Sequence, residues 1–179
     1  PSGADLGMYE DEPDGEPDDT LRVVNASVEL PVGNFPSIED ARAEFDSIVE
    51  TLNATRKNGT EDEIKEAVKN AKRSNFVLSN AQRTADGPIS MRVQAMRIGP
   101  AALVAIPVEA FSEIGVAVKN SSPASQTLFS GYTNGSLGYM PMADAYEEGG
   151  YEVTTTPMAA GAAEETITAC SDAVRALWR

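Results

Sequence analysis

The chain has 179 residues, 41% of them hydrophobic, which is room for one domain with a packed core. Its 14 lysines and arginines stand against 28 aspartates and glutamates, a net charge of −14 that argues against binding a nucleic-acid backbone or an anionic lipid surface. It contains no histidine and a single cysteine, Cys170, so the commonest general base, the commonest zinc ligand and an internal disulfide are all excluded.

No run approaches the roughly 18 apolar residues of a membrane helix, and no transmembrane segment is expected. The chain opens on Pro1-Ser2-Gly3 with neither a basic nor an apolar leader. That start fits a processed segment of a longer precursor, as it fits removal of methionine before proline. Residues 9 to 19 hold seven carboxylates, two prolines and a glycine. Such a stretch buries too little apolar surface to offset its ordering entropy, so residues 1–19 read as an acidic flexible N-terminal segment or linker. The ligand order of a calcium-binding loop is absent from it.

The remainder, residues 20–179, alternates strand and helix signals. Leu21, Val23, Val28, Leu30 and Val32 recur in period-two stretches, an extended segment that Pro31 confines to a sheet edge or ends. Ser37-Ile38-Glu39-Asp40 resembles a capping box and opens an amphipathic helix through Ala41, Phe45, Ile48 and Leu52 to Asn58-Gly59. A second box, Thr60 to Glu63, opens another helix expected to stop near Phe76 or Leu78, so the pair forms an antiparallel hairpin suited to covering a sheet.

Ile89, Met91, Val93 and Ala95 alternate with polar residues, and after Gly99-Pro100 the run Ala101 to Ile106 is apolar throughout. That run predicts a central strand buried on both faces. Val108, Phe111, Ile114 and Val118 follow at helical spacing, which predicts a helix over 108–119 entered directly from the strand. Thr127 to Phe129 is a short strand, and Ile167, Cys170, Val174 and Leu177 mark a final amphipathic helix.

Two places hold side chains suited to chemistry. Glu109 stands where a buried strand reaches the carboxyl edge of its sheet, the place where ligands collect in open α/β folds. A carboxylate in a first helical turn is equally explained by the helix dipole. The second place is Gly131 to Pro141, continuing to Glu152, which holds Tyr132, Tyr139, Tyr146 and Tyr151, four of the five tyrosines. Phenols can hydrogen-bond an oxyanion or, deprotonated, bind a metal, and glycines let backbone approach a ligand. An aromatic-rich turn packed on the sheet explains the same residues without function.

The segments Met91 to Gly99, Ala102 to Glu109, Gly131 to Tyr139 and Tyr146 to Glu152, with Leu30-Pro31-Val32 and Pro36-Ser37, resemble in order the neutral/alkaline non-lysosomal ceramidase family and its shorter bacterial relatives. The resemblance implies an α/β fold, a mixed β-sheet flanked by helices, forming the carboxyl-terminal part of a catalytic domain that another segment completes. It implies that Glu109 and Tyr139 bind zinc, that Tyr151 faces the substrate as a catalytic residue, and that the protein is secreted or at the cell surface. The substrate class it implies is an amide, with a lipid amide among the candidates. The family's proline-glycine-glutamate is Pro107-Val108-Glu109 here, and its loop tyrosine is Ser136. Its zinc-binding histidines precede the matching segments and have no counterpart in this chain. The expected partner is therefore a companion N-terminal chain or segment of the same precursor, without which the chain is inactive. The alternative is a non-catalytic structural or assembly protein on the same fold.

Overall fold

The computed structural model describes residues 18–179, so the acidic N-terminal stretch, apart from Asp18 and Asp19, lies outside the described residues. Its centre is a four-stranded sheet in the order β1 (Leu21–Leu30), β2 (Ile89–Ile98), β3 (Ala101–Ala105) and β5 (Gln126–Ser130). β1, β2 and β3 run antiparallel in sequence along the sheet, and β5 lies parallel to β3. The link from β3 to β5 passes through the two-residue strand β4 (Glu109–Ala110) and helix α3 (Ser112–Ser121).

One face of this sheet is closed. Val24, Ala26, Val28 and Leu30 of β1, Met91, Val93 and Ala95 of β2, and Ala102 and Val104 of β3 share it and enter the main core. Helix α6 (Ala162–Ala176) lies over β1 and β2, and α3 packs between α6 and β5. Ile114, Val118, Cys170 and Val174 supply the helical side of the core, each fully buried. A buried side chain of this kind contributes about 1.5–3 kcal/mol, so this layer carries most of the hydrophobic stabilisation.

Among the described residues, nothing covers the opposite face over half its length. Val23, Met96, Leu103 and Leu128 form one row across all four strands, and Leu21 pairs with Ile98 beside it. Leu21 is 68% exposed, Val23 50%, Ile98 60% and Leu128 66%. The expectation that β3 is buried on both faces therefore holds for its central place but not for its burial, since Ala101 and Leu103 remain half-exposed on this side.

The hairpin also differs from expectation. α1 (Ile38–Asn58) and α2 (Glu61–Thr84) start at their caps, Ser37 accepting from the Asp40 amide and Thr60 making a reciprocal box with Glu63. The hairpin does not roof the sheet, however. It packs on itself around Ala41, Leu78 and Ala81 and, through α2, on the short helix α5 (Tyr151–Thr155). α2 runs past Leu78 to Thr84 because Asn80 and Ala81 are buried there, with Asn80 Nδ2 donating to the Thr155 and Thr156 carbonyls at 3.1 and 3.2 Å.

The helix expected over 108–119 begins only at Ser112. Glu109 and Ala110 instead form β4, paired in parallel with β6 (Tyr139–Met140), because the Glu109 and Phe111 amides donate to the Gly138 and Met140 carbonyls. Glu109 consequently has no helix dipole to explain it.

Candidate functional site

β3 and β5 are parallel, so their carboxyl ends lie at the same edge of the sheet. Glu109 follows β3 and Tyr132 follows β5, and the two loops are laced together by backbone hydrogen bonds. The Tyr132 amide donates to the Val108 carbonyl at 3.0 Å, Thr133 to Ile106 at 3.0 Å and Leu137 to Pro107 at 2.7 Å. Gly131 permits the approach, since a Cβ there would stand 2.8 Å from the Val108 carbonyl oxygen. Tyr132 itself adopts φ 51°, a left-handed conformation uncommon for a residue with a side chain, and thereby turns its phenol toward Glu109.

Tyr132 Oη donates a hydrogen bond to Glu109 Oε2. Tyr139 stands directly opposite Glu109 in the β4–β6 ladder, so its phenol lies beside the same carboxylate. The bond to Glu109 is the main reason that the Tyr132 hydroxyl is pushed up to about 12, with burial and the carboxylate's charge adding to it. The Tyr139 hydroxyl is raised as well, by the Glu109 carboxylate first and by burial second. One carboxylate thus keeps both neighbouring phenols protonated.

Tyr151, at the start of α5, joins the cluster through its ring. It meets Tyr139 edge to face at a centroid distance of 5.9 Å and Phe76 of α2 at 6.3 Å. The fold therefore brings Glu109, Tyr139 and Tyr151 together from β4, β6 and α5. Sequence reasoning placed Tyr132 within the tyrosine-rich stretch but gave it no role, and the only local signal was its neighbour Gly131. Tyr146, in the short helix α4 (Ala145–Glu148), is structural: its hydroxyl donates to the Met158 carbonyl at 3.0 Å and burial pushes it up to about 12.

As donors to a metal, Glu109, Tyr139 and Tyr132 present one carboxylate and two phenol oxygens. Among the described residues no three histidine, cysteine, aspartate or glutamate side chains converge as a metal site. Cys170 is no candidate, since it is buried in the main core and burial pushes its thiol up to about 12. The present residues fit part of a zinc centre and not a whole one, because such centres are built chiefly on imidazole or thiolate ligands.

No protein-family model matches the chain, and no curated protein does. Among solved structures it is similar to the neutral ceramidase from Pseudomonas aeruginosa, at 26% identity and a TM-score of 0.46 over 50% of this chain and 15% of that one. A ceramidase solved in complex with C2 gives 25% identity, the same TM-score of 0.46 and the same 50% and 15% coverage. The chain thus spans 15% of the length of these structures. Among the described residues, no helix is long and apolar enough to cross a membrane.

Proposed function

We propose that the chain contributes part of a zinc-dependent amide-hydrolase centre of the ceramidase-like kind, acting on a lipid amide outside the cell. Glu109 and Tyr139 are its metal ligands in this reading, and histidines from a companion segment complete it. The observation that carries the reading is the meeting of Glu109, Tyr139 and Tyr151, which come from the segments whose order resembles that family.

The chemistry divides between what this chain holds and what it lacks. Zinc, when bound, supplies Lewis acidity toward the amide carbonyl and acidifies water. Glu109 contributes the negative charge that attracts the ion, and Tyr139 must release its proton to become a ligand. Tyr132, already bonded to Glu109, orients the carboxylate. Tyr151, exposed beside Tyr139, is placed to donate a hydrogen bond to the developing oxyanion.

The apolar half of the sheet that the described residues leave uncovered supports a companion polypeptide over a second copy of this chain. Two copies of net charge −14 repel each other, whereas an apolar layer from a different segment would cover Val23, Met96, Leu103 and Leu128. The same face continues through Asn25, Arg92 and Gln94 to Thr133 and Asn134, in the loop that holds Tyr132, so a layer lying on it reaches the site. The alternative, a non-catalytic assembly protein, uses that face equally well. The two readings separate by identifying the polypeptide that co-purifies with the chain and assaying the complex on an N-acyl lipid amide. A hydrolase loses zinc and activity on Glu109→Gln or Tyr139→Phe, whereas an assembly protein shows neither to begin with.

A further inference from the structure

α2 presents Lys65, Val68, Lys69, Lys72, Arg73 and Phe76 along one face, at alternating steps of three residues and one that keep them in a single stripe. Gly150, Tyr151, Thr154 and Thr155 face them, and a groove of about 810 Å³ lies between. From Lys65 to Phe76 the helix rises about 16 Å at 1.5 Å per residue. Four cations line this groove and, among the described residues, no carboxylate does, a local inversion in a chain of net charge −14.

The wall is not uniformly neutralised. Lys65 lies 2.8 Å from Glu61 and 3.6 Å from Asp62, and Lys69 lies 3.7 Å from Glu66. Lys72 and Arg73 make no ion pair among the described residues. They sit at the end where Phe76 meets the Tyr151 ring.

The threonines of the floor have no hydroxyl proton to spare. Thr154 Oγ1 donates to the Gly150 carbonyl at 2.6 Å and Thr155 Oγ1 to the Tyr151 carbonyl at 3.0 Å, so both hydroxyl protons are used within α5. A peptide laid there would bring backbone carbonyls to which neither threonine can donate, at a desolvation cost. An alkyl chain brings none. An anionic bilayer is repelled by the rest of the surface.

We propose that this groove binds a single-chain anionic amphiphile, a fatty-acid anion, with its alkyl chain on Val68, Phe76 and Tyr151 and its carboxylate between Lys72 and Arg73. The binding uses neither Glu109 nor a metal and so stands apart from the hydrolase reading. If both hold, the ligand is of the class that hydrolysis of a lipid amide releases, and it leaves past Tyr151.

The test is calorimetric titration of the 179-residue chain with decanoate below its micelle threshold, in chelator and at physiological salt. We expect one decanoate per chain, decyltrimethylammonium at least about tenfold weaker, and no detectable acetate binding. Lys72→Glu with Arg73→Glu should weaken decanoate about tenfold and leave decanol within about twofold. Lys57→Glu with Lys119→Glu makes the same change in net charge elsewhere and should leave decanoate binding within about twofold. Equal binding of the two charged amphiphiles, an equal loss in the remote pair, or binding only to micelles or anionic vesicles would overturn the proposal. Because zinc is chelated throughout, a failed hydrolase assay cannot be mistaken for failure here.

Discussion

Glu109 and Tyr139 are direct partners across the parallel ladder of β4 and β6, and Tyr132 donates its phenol proton to the same Glu109 carboxylate. An acceptor carboxylate stabilises the protonated phenol, so each hydroxyl titrates above its ordinary value. Glu109→Gln removes the charge and the stronger acceptor, and should bring Tyr132 from about 12 back toward 10.0. Following phenolate absorbance against pH checks this, and an unchanged high-pH tyrosine in the variant would contradict the pairing.

The entry to β1 is pinned by another charged contact. Arg97 Nη2 lies 2.7 Å from Asp18 Oδ2 while its guanidinium stacks 4.6 Å from the Trp178 ring centre. Hydrogen bonds from Thr20 first and Arg97 second hold the Asp18 carboxyl down to about 2, against 3.8 ordinarily. A depressed carboxylate stabilises the fold above its unfolded value, and that contribution fades as pH falls from 3.8 through about 2. Asp18→Asn should therefore lower the melting temperature at pH 7, with the difference from the parent shrinking across that acid window. An equal deficit at both ends of the window would show that Asp18 acts through something other than its charge.

The two faces of the sheet should respond differently to truncation. Ile106, fully buried, should cost about 2–5 kcal/mol on replacement by alanine, whereas Leu128→Ala should stay within about 0.5 kcal/mol in the isolated chain. Leu128→Asp should leave the isolated chain folded and abolish capture of the companion polypeptide. Denaturant unfolding and co-purification read these two effects separately.

Asn80 ties α2 to the end of α5 through the Thr155 and Thr156 carbonyls. Its replacement by alanine leaves both acceptors without that donor and should cost about 1–3 kcal/mol. The Tyr151 ring should gain mobility at the same time, visible as altered ring-proton shifts for Tyr151 and Phe76. Unperturbed shifts would show that α5 is held by its other contacts alone.

The parts of this fold that local chemistry dictates were legible from the residues. Ser37 and Thr60 mark the starts of α1 and α2, and the Ala101 to Ile106 run marks a central strand. What failed did so where distant pairing overrode a local pattern. Val108, Phe111, Ile114 and Val118 keep helical spacing, yet the first two flank β4, because the Gly138 and Met140 carbonyls take the Glu109 and Phe111 amides. In β1 the even positions 24 to 30 face the core, so Leu21 and Val23 belong to the opposite face from Val28 and Leu30 despite their shared apolar character.

The site was legible only in part. No periodicity joins Glu109 to Tyr139, and only the resemblance, which implies that both bind zinc, sets them side by side. Tyr132 gave no comparable signal, because its role depends on one left-handed residue and on a loop that closes against Val108.

Zinc content tests the account most directly. The chain, purified together with its companion polypeptide and dialysed against metal-free buffer, should retain one zinc ion per complex. The 179-residue chain alone should retain none, and Glu109→Gln or Tyr139→Phe should strip the ion from the complex. Stoichiometric zinc in the isolated chain, or zinc in the complex that survives both substitutions, would contradict the assignment of Glu109 and Tyr139 as ligands of a shared site.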